Sequence, residues 1–136
     1  MKPSGRSINE LQKAAALLPP NWYDGEFRGI METLSQHQNE MFIARVIIRL
    51  VDGTTHELRD YMVDTGRGGL KFYHACCAVG IGEKYQAKQE ITAADFIGKP
   101  VRVKVGIEKK RGFSDRNCIE DYAAPAAEIV KLRSAS

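Results

Sequence analysis

No stretch of this sequence is apolar for long enough to cross a bilayer, and no Cys-x-x-Cys occurs in it. Its three histidines, His37, His56 and His74, never stand at the i, i+4 spacing that places two imidazoles on one helix face. These absences speak against a membrane span and against a zinc site. Cysteine is scarce as well: Cys76, Cys77 and Cys118 are odd in number and two are adjacent, so no disulfide framework is indicated and a reducing compartment fits. The amino terminus, MKPSGRSINELQKAAALLPP, offers only a short apolar patch after mixed charges, which is not the architecture of a secretion signal. The expected location is the cytoplasm.

Catalytic constellations are also missing. The acidic residues are dispersed, and no Ser/His/Asp or Cys/His order stands out. The glycine runs GRGG at 66–69 and VGIGEK at 79–84 have neither the Walker spacing nor a strand feeding GxGxxG. They read as a turn before a helix and a cap after it. The expectation is a protein that is not an enzyme and needs neither cofactor nor metal.

The chain has the length of one small domain, 136 residues, and its 43% hydrophobic and 27% charged composition is that of an ordinary globular protein. Its net charge of +3 is unevenly placed. Residues 1–97 hold 11 Lys/Arg and 12 Asp/Glu, residues 98–117 hold 7 and 2, and residues 118–136 hold 2 and 3. One short stretch therefore carries all the net positive charge, which is what creates an attractive field for an anionic partner.

Ser7 followed by Glu10 is a capping-box pattern, and INELQKAAALL after it favours a helix until Pro19 and Pro20 stop it. Leu11, Ala14, Ala15 and Leu18 share one face, which suits docking on the domain or on a second subunit as a homodimer. EFRGIMETL, then MFIARVIIRLV after a polar turn at Ser35 to Asn39, then THELRDYM after the hairpin signal Asp52-Gly53, read as a three-stranded meander. LKFYHACCAVGI has the length and spacing of a helix ending near Gly80. A loop with a short turn at Thr92 to Phe96 leads to strand four, Pro100 to Lys109, and strand five, Arg116 to Tyr122. Three strands, a helix and two strands is the element order of the OB-fold, a five-stranded, partly open barrel. The expected fold is thus mainly β: an OB barrel with a helix between strands three and four, over residues 22–123. An amino-terminal helix and linker would occupy 1–21 and a loosely ordered tail 124–136.

Alternation in strand four sends Val101, Val103, Val105 and Ile107 to the core and Arg102 and Lys104 outward. The turn beyond adds Lys109, Lys110, Arg111, Phe113 and Arg116, an exposed ring among cations. In strand two, Phe42, Ala44, Val46, Ile48 and Leu50 share one face while Arg45 and Arg49 lie on the other among isoleucines. Guanidinium groups pair with phosphate and stack on bases. They also form plain ion pairs, and Glu57 or Asp60 on the neighbouring strand could supply them. Tyr61 shares a face with Glu57 and Arg59 and is the best stacking candidate in the sheet. Trp22 could be a base platform or a hydrophobic plug.

The ordered segments FYHACCAVGI, FIGKPVRVKVGIEKK and NCIEDY resemble the small single-stranded DNA-binding proteins of bacteriophages and prophages over roughly Tyr23 to Ala123. That resemblance implies an OB-fold, single-strand binding with little sequence preference, service in DNA replication, recombination or repair beside proteins of those pathways, and no catalytic residue. The chain end differs from bacterial single-strand binders, which close on an acidic tip, since Lys131, Leu132 and Arg133 stand here. The leading expectation is a coat for single-stranded DNA, or RNA, using Arg45, Arg49, Tyr61, Arg102, Lys104, Lys109, Lys110, Arg111, Phe113 and Arg116. The alternatives are a protein-interaction module whose basic hairpin meets an acidic partner, and a strand-annealing recombination factor.

Overall fold

The computed structural model describes residue 8 and residues 17–34, 38–66 and 68–125. Most of the expected amino-terminal helix, much of the polar turn after strand one and nearly all of the tail lie outside the described residues. The strands are β1 (Asn21–Leu34), β2 (Glu40–Arg49), β3 (Thr55–Val63), β4 (Pro100–Glu108) and β5 (Arg116–Ala123). Between β3 and β4 come the helices α1 (Gly68–Ala78) and α2 (Gly82–Gln86) and a 3-10 turn (Ala93–Asp95). All five strands pair antiparallel in one sheet of order β3-β2-β1-β4-β5. No helix among the described residues is long and apolar enough to cross a membrane.

β1 is long because it has two partners. Its first half, from Asn21 to Glu26, pairs with β4, while Asp24 to Leu34 pairs with β2. A bulge between Phe27 and Gly29 separates the registers and leaves Arg28 as an extra, exposed residue. Strand one therefore starts five residues ahead of the expected Glu26. Gly25 lies within it because there is no room for more: a Cβ there would stand 3.0 Å from Val103 Cγ2 and 3.1 Å from the Ile47 carbonyl oxygen.

The β2–β3 turn forms as the Asp52-Gly53 signal predicts. Gly53 takes φ +88°, and Asp52 Oδ1 accepts hydrogen bonds from the Thr54 amide and hydroxyl. One face of β2 enters the core, with Ala44, Val46 and Ile48 wholly buried. A line of rings runs through that core. Phe27 lies 5.4 Å from both Phe96 and Tyr122, and Phe96 lies 5.9 Å from Phe42.

The sheet is open, with β3 and β5 as its edges. Side chains nevertheless bridge those edges. The buried Asp60 of β3 accepts a hydrogen bond from the Tyr122 hydroxyl of β5 at 2.5 Å and another from Lys71 Nζ of α1 at 2.8 Å. Lys71 also donates to the Ile119 carbonyl of β5 at 3.3 Å. Asp60 thus points inward and is not an ion-pair partner for the outward arginines. Burial, then the charge and hydrogen bond of Asp60, raise the Tyr122 pKa well above the usual tyrosine value.

The amino-terminal approach is fastened to β5 as well. Asn117 Oδ1 accepts from the Leu18 amide at 2.8 Å, and its Nδ2 donates to the Leu18 carbonyl at 2.9 Å. Leu18 is buried.

Both helices end in the same hydrogen-bond pattern. After α1, Gly80 N–H donates to the Cys77 carbonyl and Ile81 N–H to that of Cys76; after α2, Lys88 N–H donates to Tyr85 and Gln89 N–H to Lys84. The residue that must turn left-handed is Gly80 (φ +89°) in the first case and Lys88 (φ +57°) in the second. A side chain in that conformation costs about 1 kcal/mol. Lys88→Gly should therefore raise the stability by up to about 1 kcal/mol, read as a higher denaturant midpoint with an unchanged m-value.

Candidate nucleic-acid interface

Alternation along the strands sorts side chains into an inner and an outer face, and the registers then set the outer ones in rows. One row is apolar: Met31 of β1, Ile43 of β2 and Tyr61 of β3 are direct partners, and Met31 and Tyr61 are 57% and 54% exposed. Beside it runs Gly29, Arg45 and Arg59. Gly29 leaves the space over which Arg45 folds, since a Cβ there would stand 3.6 Å from Arg45 Cδ and Nη1. Farther along, Arg49 pairs with Asp24, Asp24 with Arg102, and Trp22 with Lys104. Trp22 belongs to β1, and the Arg102 guanidinium stands 5.7 Å from its ring centroid.

The β4–β5 turn carries Lys109, Lys110, Arg111 and Phe113, all exposed. Phe113 is 70% exposed, with Lys110 Nζ 5.1 Å from its ring centroid. Lys110, Phe113 and Arg116 help line a shallow cleft of about 170 Å³. Arg116 donates from Nε to Glu108 at 2.8 Å. That bond and the Glu108 charge raise the Arg116 pKa.

Several predicted cations are engaged with carboxylates. Arg45 meets Glu57 at 2.6 Å, Arg49 meets Glu26 at 3.6 Å, and Lys104 meets Glu120 at 4.0 Å. The side chains of all three cations are about half exposed, and exposed pairs of this kind are worth only about 0–1 kcal/mol, so a phosphate can displace the carboxylate at little cost. Arg45, Arg49, Tyr61, Arg102 and Lys104 are thus brought onto one sheet face, while Lys109, Lys110, Arg111, Phe113 and Arg116 cluster at one turn.

Two further cations escaped the sequence reading. Arg59 is exposed between Arg45 and Tyr61, with no ion pair among the described residues, and its alternation with Tyr61 was the signal that could have found it. Arg28 is exposed at the bulge, which no sequence signal marked.

Burial pushes the Cys76 thiol up to about 12, with the neighbouring Cys77 acting in the same direction, so Cys76 stays protonated near neutrality. No group of three or more His, Cys, Asp or Glu among the described residues is placed to hold a metal ion. Comparison with protein-family models and with curated protein sequences finds no match for this chain.

Proposed function

We propose that this chain is an OB-type protein that binds single-stranded DNA without sequence preference. The observation that carries the reading is the outer sheet face, where the exposed Met31 and Tyr61 and the half-buried Ile43 run beside Arg45 and Arg59 and continue into Arg49, Arg102 and Trp22. Stackable and cationic side chains interleaved on an open surface suit a strand whose phosphates and bases alternate. OB-folds bind oligonucleotides on the face of their second and third strands and at the loops after strands one and four. Here the strand order, the side-chain bridge between the edge strands and the cationic β4–β5 turn agree with that arrangement. The resemblance to phage and prophage proteins adds DNA replication, recombination and repair as the setting.

Phosphates follow the cations of β2, β4 and the turn, and bases stack on Tyr61 and Phe113. With about four to five phosphate contacts, log affinity against log salt should fall with a slope of about −3 for oligo-dT, at about −0.7 per contact. A titration with single-stranded DNA, RNA and duplex across salt tests this, and a flat salt response or preference for duplex overturns it. Tyr61→Ala should weaken oligo-dT binding by roughly tenfold, a loss within the range for one stacked base, and leave the salt slope unchanged.

A further inference from the structure

A cavity of about 500 Å³ opens on the core side of β2 and β3, where α2 and the chain after it form the opposite wall. That volume falls within the range of pockets that hold small molecules, roughly 300–1,000 Å³. Its base is apolar: Phe42, Met62 and Phe72 are buried, and the Phe72 ring centre lies 5.9 Å from those of both Phe42 and Tyr85. The Tyr85 hydroxyl of α2 donates a hydrogen bond to Asp64, just past β3, and so ties one wall to the other. The mouth is acidic. Glu40 and Asp64 each stand one residue beyond the Met41–Val63 pair, so they share one end of the β2–β3 ladder, while Glu90 lies on the opposite wall with Lys88, the one cation of the lining. All four are exposed, and Glu40 and Glu90 make no ion pair among the described residues.

Three carboxylates against one ammonium leave two negative charges over an apolar base. A phosphate or carboxylate ligand is repelled by that mouth. A metal ion lacks a converging donor set, since no group of three or more His, Cys, Asp or Glu among the described residues could hold one. The complement is an aliphatic chain with a cation at each end. We propose that the cavity binds a linear aliphatic diamine, or a polyamine built from the same units. One ammonium group meets Glu40 and Asp64, the methylene chain crosses the base of Phe42, Met62 and Phe72, and the second ammonium meets Glu90. The methylenes leave water while the charged ends stay at the solvated mouth. The site is independent of the nucleic-acid reading, because Phe42 and Met62 lie on the inner face of β2 and β3, and Arg45, Arg59 and Tyr61 on the outer one.

An NMR titration of the full chain with cadaverine, free of nucleic acid and at constant ionic strength, tests this. The shifts should saturate at millimolar ligand, and the ligand methylenes should show nuclear Overhauser contacts to the Phe42 and Phe72 rings. Pentylamine, with a single ammonium, should bind more weakly, and pentanol more weakly still. Glu40→Gln with Glu90→Gln changes two exposed side chains and should weaken cadaverine binding by about tenfold, the loss of two exposed ion pairs, with the melting temperature unchanged. Shifts that never saturate, contacts that miss the rings, or unaltered affinity in the variant overturn the proposal. Equal binding of pentanol overturns the role of charge. A lysine-rich peptide that binds this cavity more tightly than any diamine overturns the small-molecule assignment in favour of a protein partner.

Discussion

Asp60→Ala should lower the stability by about 3–5 kcal/mol, a large part of the roughly 5–15 kcal/mol a domain possesses. Removal of the carboxylate leaves the buried Tyr122 hydroxyl without its acceptor and Lys71 without its counter-charge, and it cuts the side-chain bridge between β3 and β5. The melting temperature should fall by about 10 °C or more. Asp60→Asn, which keeps an acceptor of the same shape, should lose less. The same bridge sets an alkaline limit. Tyr122 has a raised pKa in the fold, so the folded chain keeps a proton that the unfolded chain releases near pH 10. Its contribution is fully present below about pH 10 and is lost as the pH rises towards the folded value. Tyr85, pushed up to about 12 chiefly by its hydrogen bond to Asp64, acts in the same direction at the surface. Denaturant midpoints measured from pH 7 to 11 should be flat and then decline, and Tyr122→Phe should shallow that decline.

Replacing Lys109, Lys110 and Arg111 together with Ala should weaken oligo-dT binding by roughly 50-fold at 0.15 M salt, and move the salt slope from about −3 towards −1. The reasoning is that each cation releases counterions from one phosphate, about 0.7 in slope per contact on a single strand. The melting temperature should hold, because the three side chains are exposed and, among the described residues, the ring contact of Lys110 with Phe113 is their one specific side-chain interaction. Unchanged affinity would remove the turn from the interface and leave the sheet face alone. A loss of affinity with an unchanged slope would mean that the turn acts through stacking and not through charge.

Much of this arrangement is legible in the residues. Period-two alternation in β2 and β4 sorted core from surface, and Asp52-Gly53 marked its turn, because in each case a short local rule decides the outcome. The failures occurred where a distant neighbour decides. Strand one is expected from Glu26 onward, yet Gly25 is already a strand residue, squeezed by Val103 and Ile47 across two ladders. Asp60 looks like an outward carboxylate, and only the approach of Tyr122 and Lys71 explains its burial. α2 has five residues, too few for a helical period to register, and ends on Lys88 where a glycine would have announced it. At the interface the outward arginines were visible, but not both partners: Arg45 meets Glu57 of the neighbouring strand, while Arg49 meets Glu26 of β1, whose register with β2 no local rule sets.

The hold of Asn117 on Leu18 bears on how the protein can be shortened. The amide spans both hydrogen-bonding groups of Leu18 as a neighbouring strand would, so residues 17–20 act as a remnant of ladder against β5. A chain trimmed to begin at Trp22 would keep every strand pair from Trp22 onward, but would empty the Leu18 niche and leave the carboxamide to water. Shortening from the amino terminus therefore costs buried contacts once it passes Leu18, ahead of the first strand.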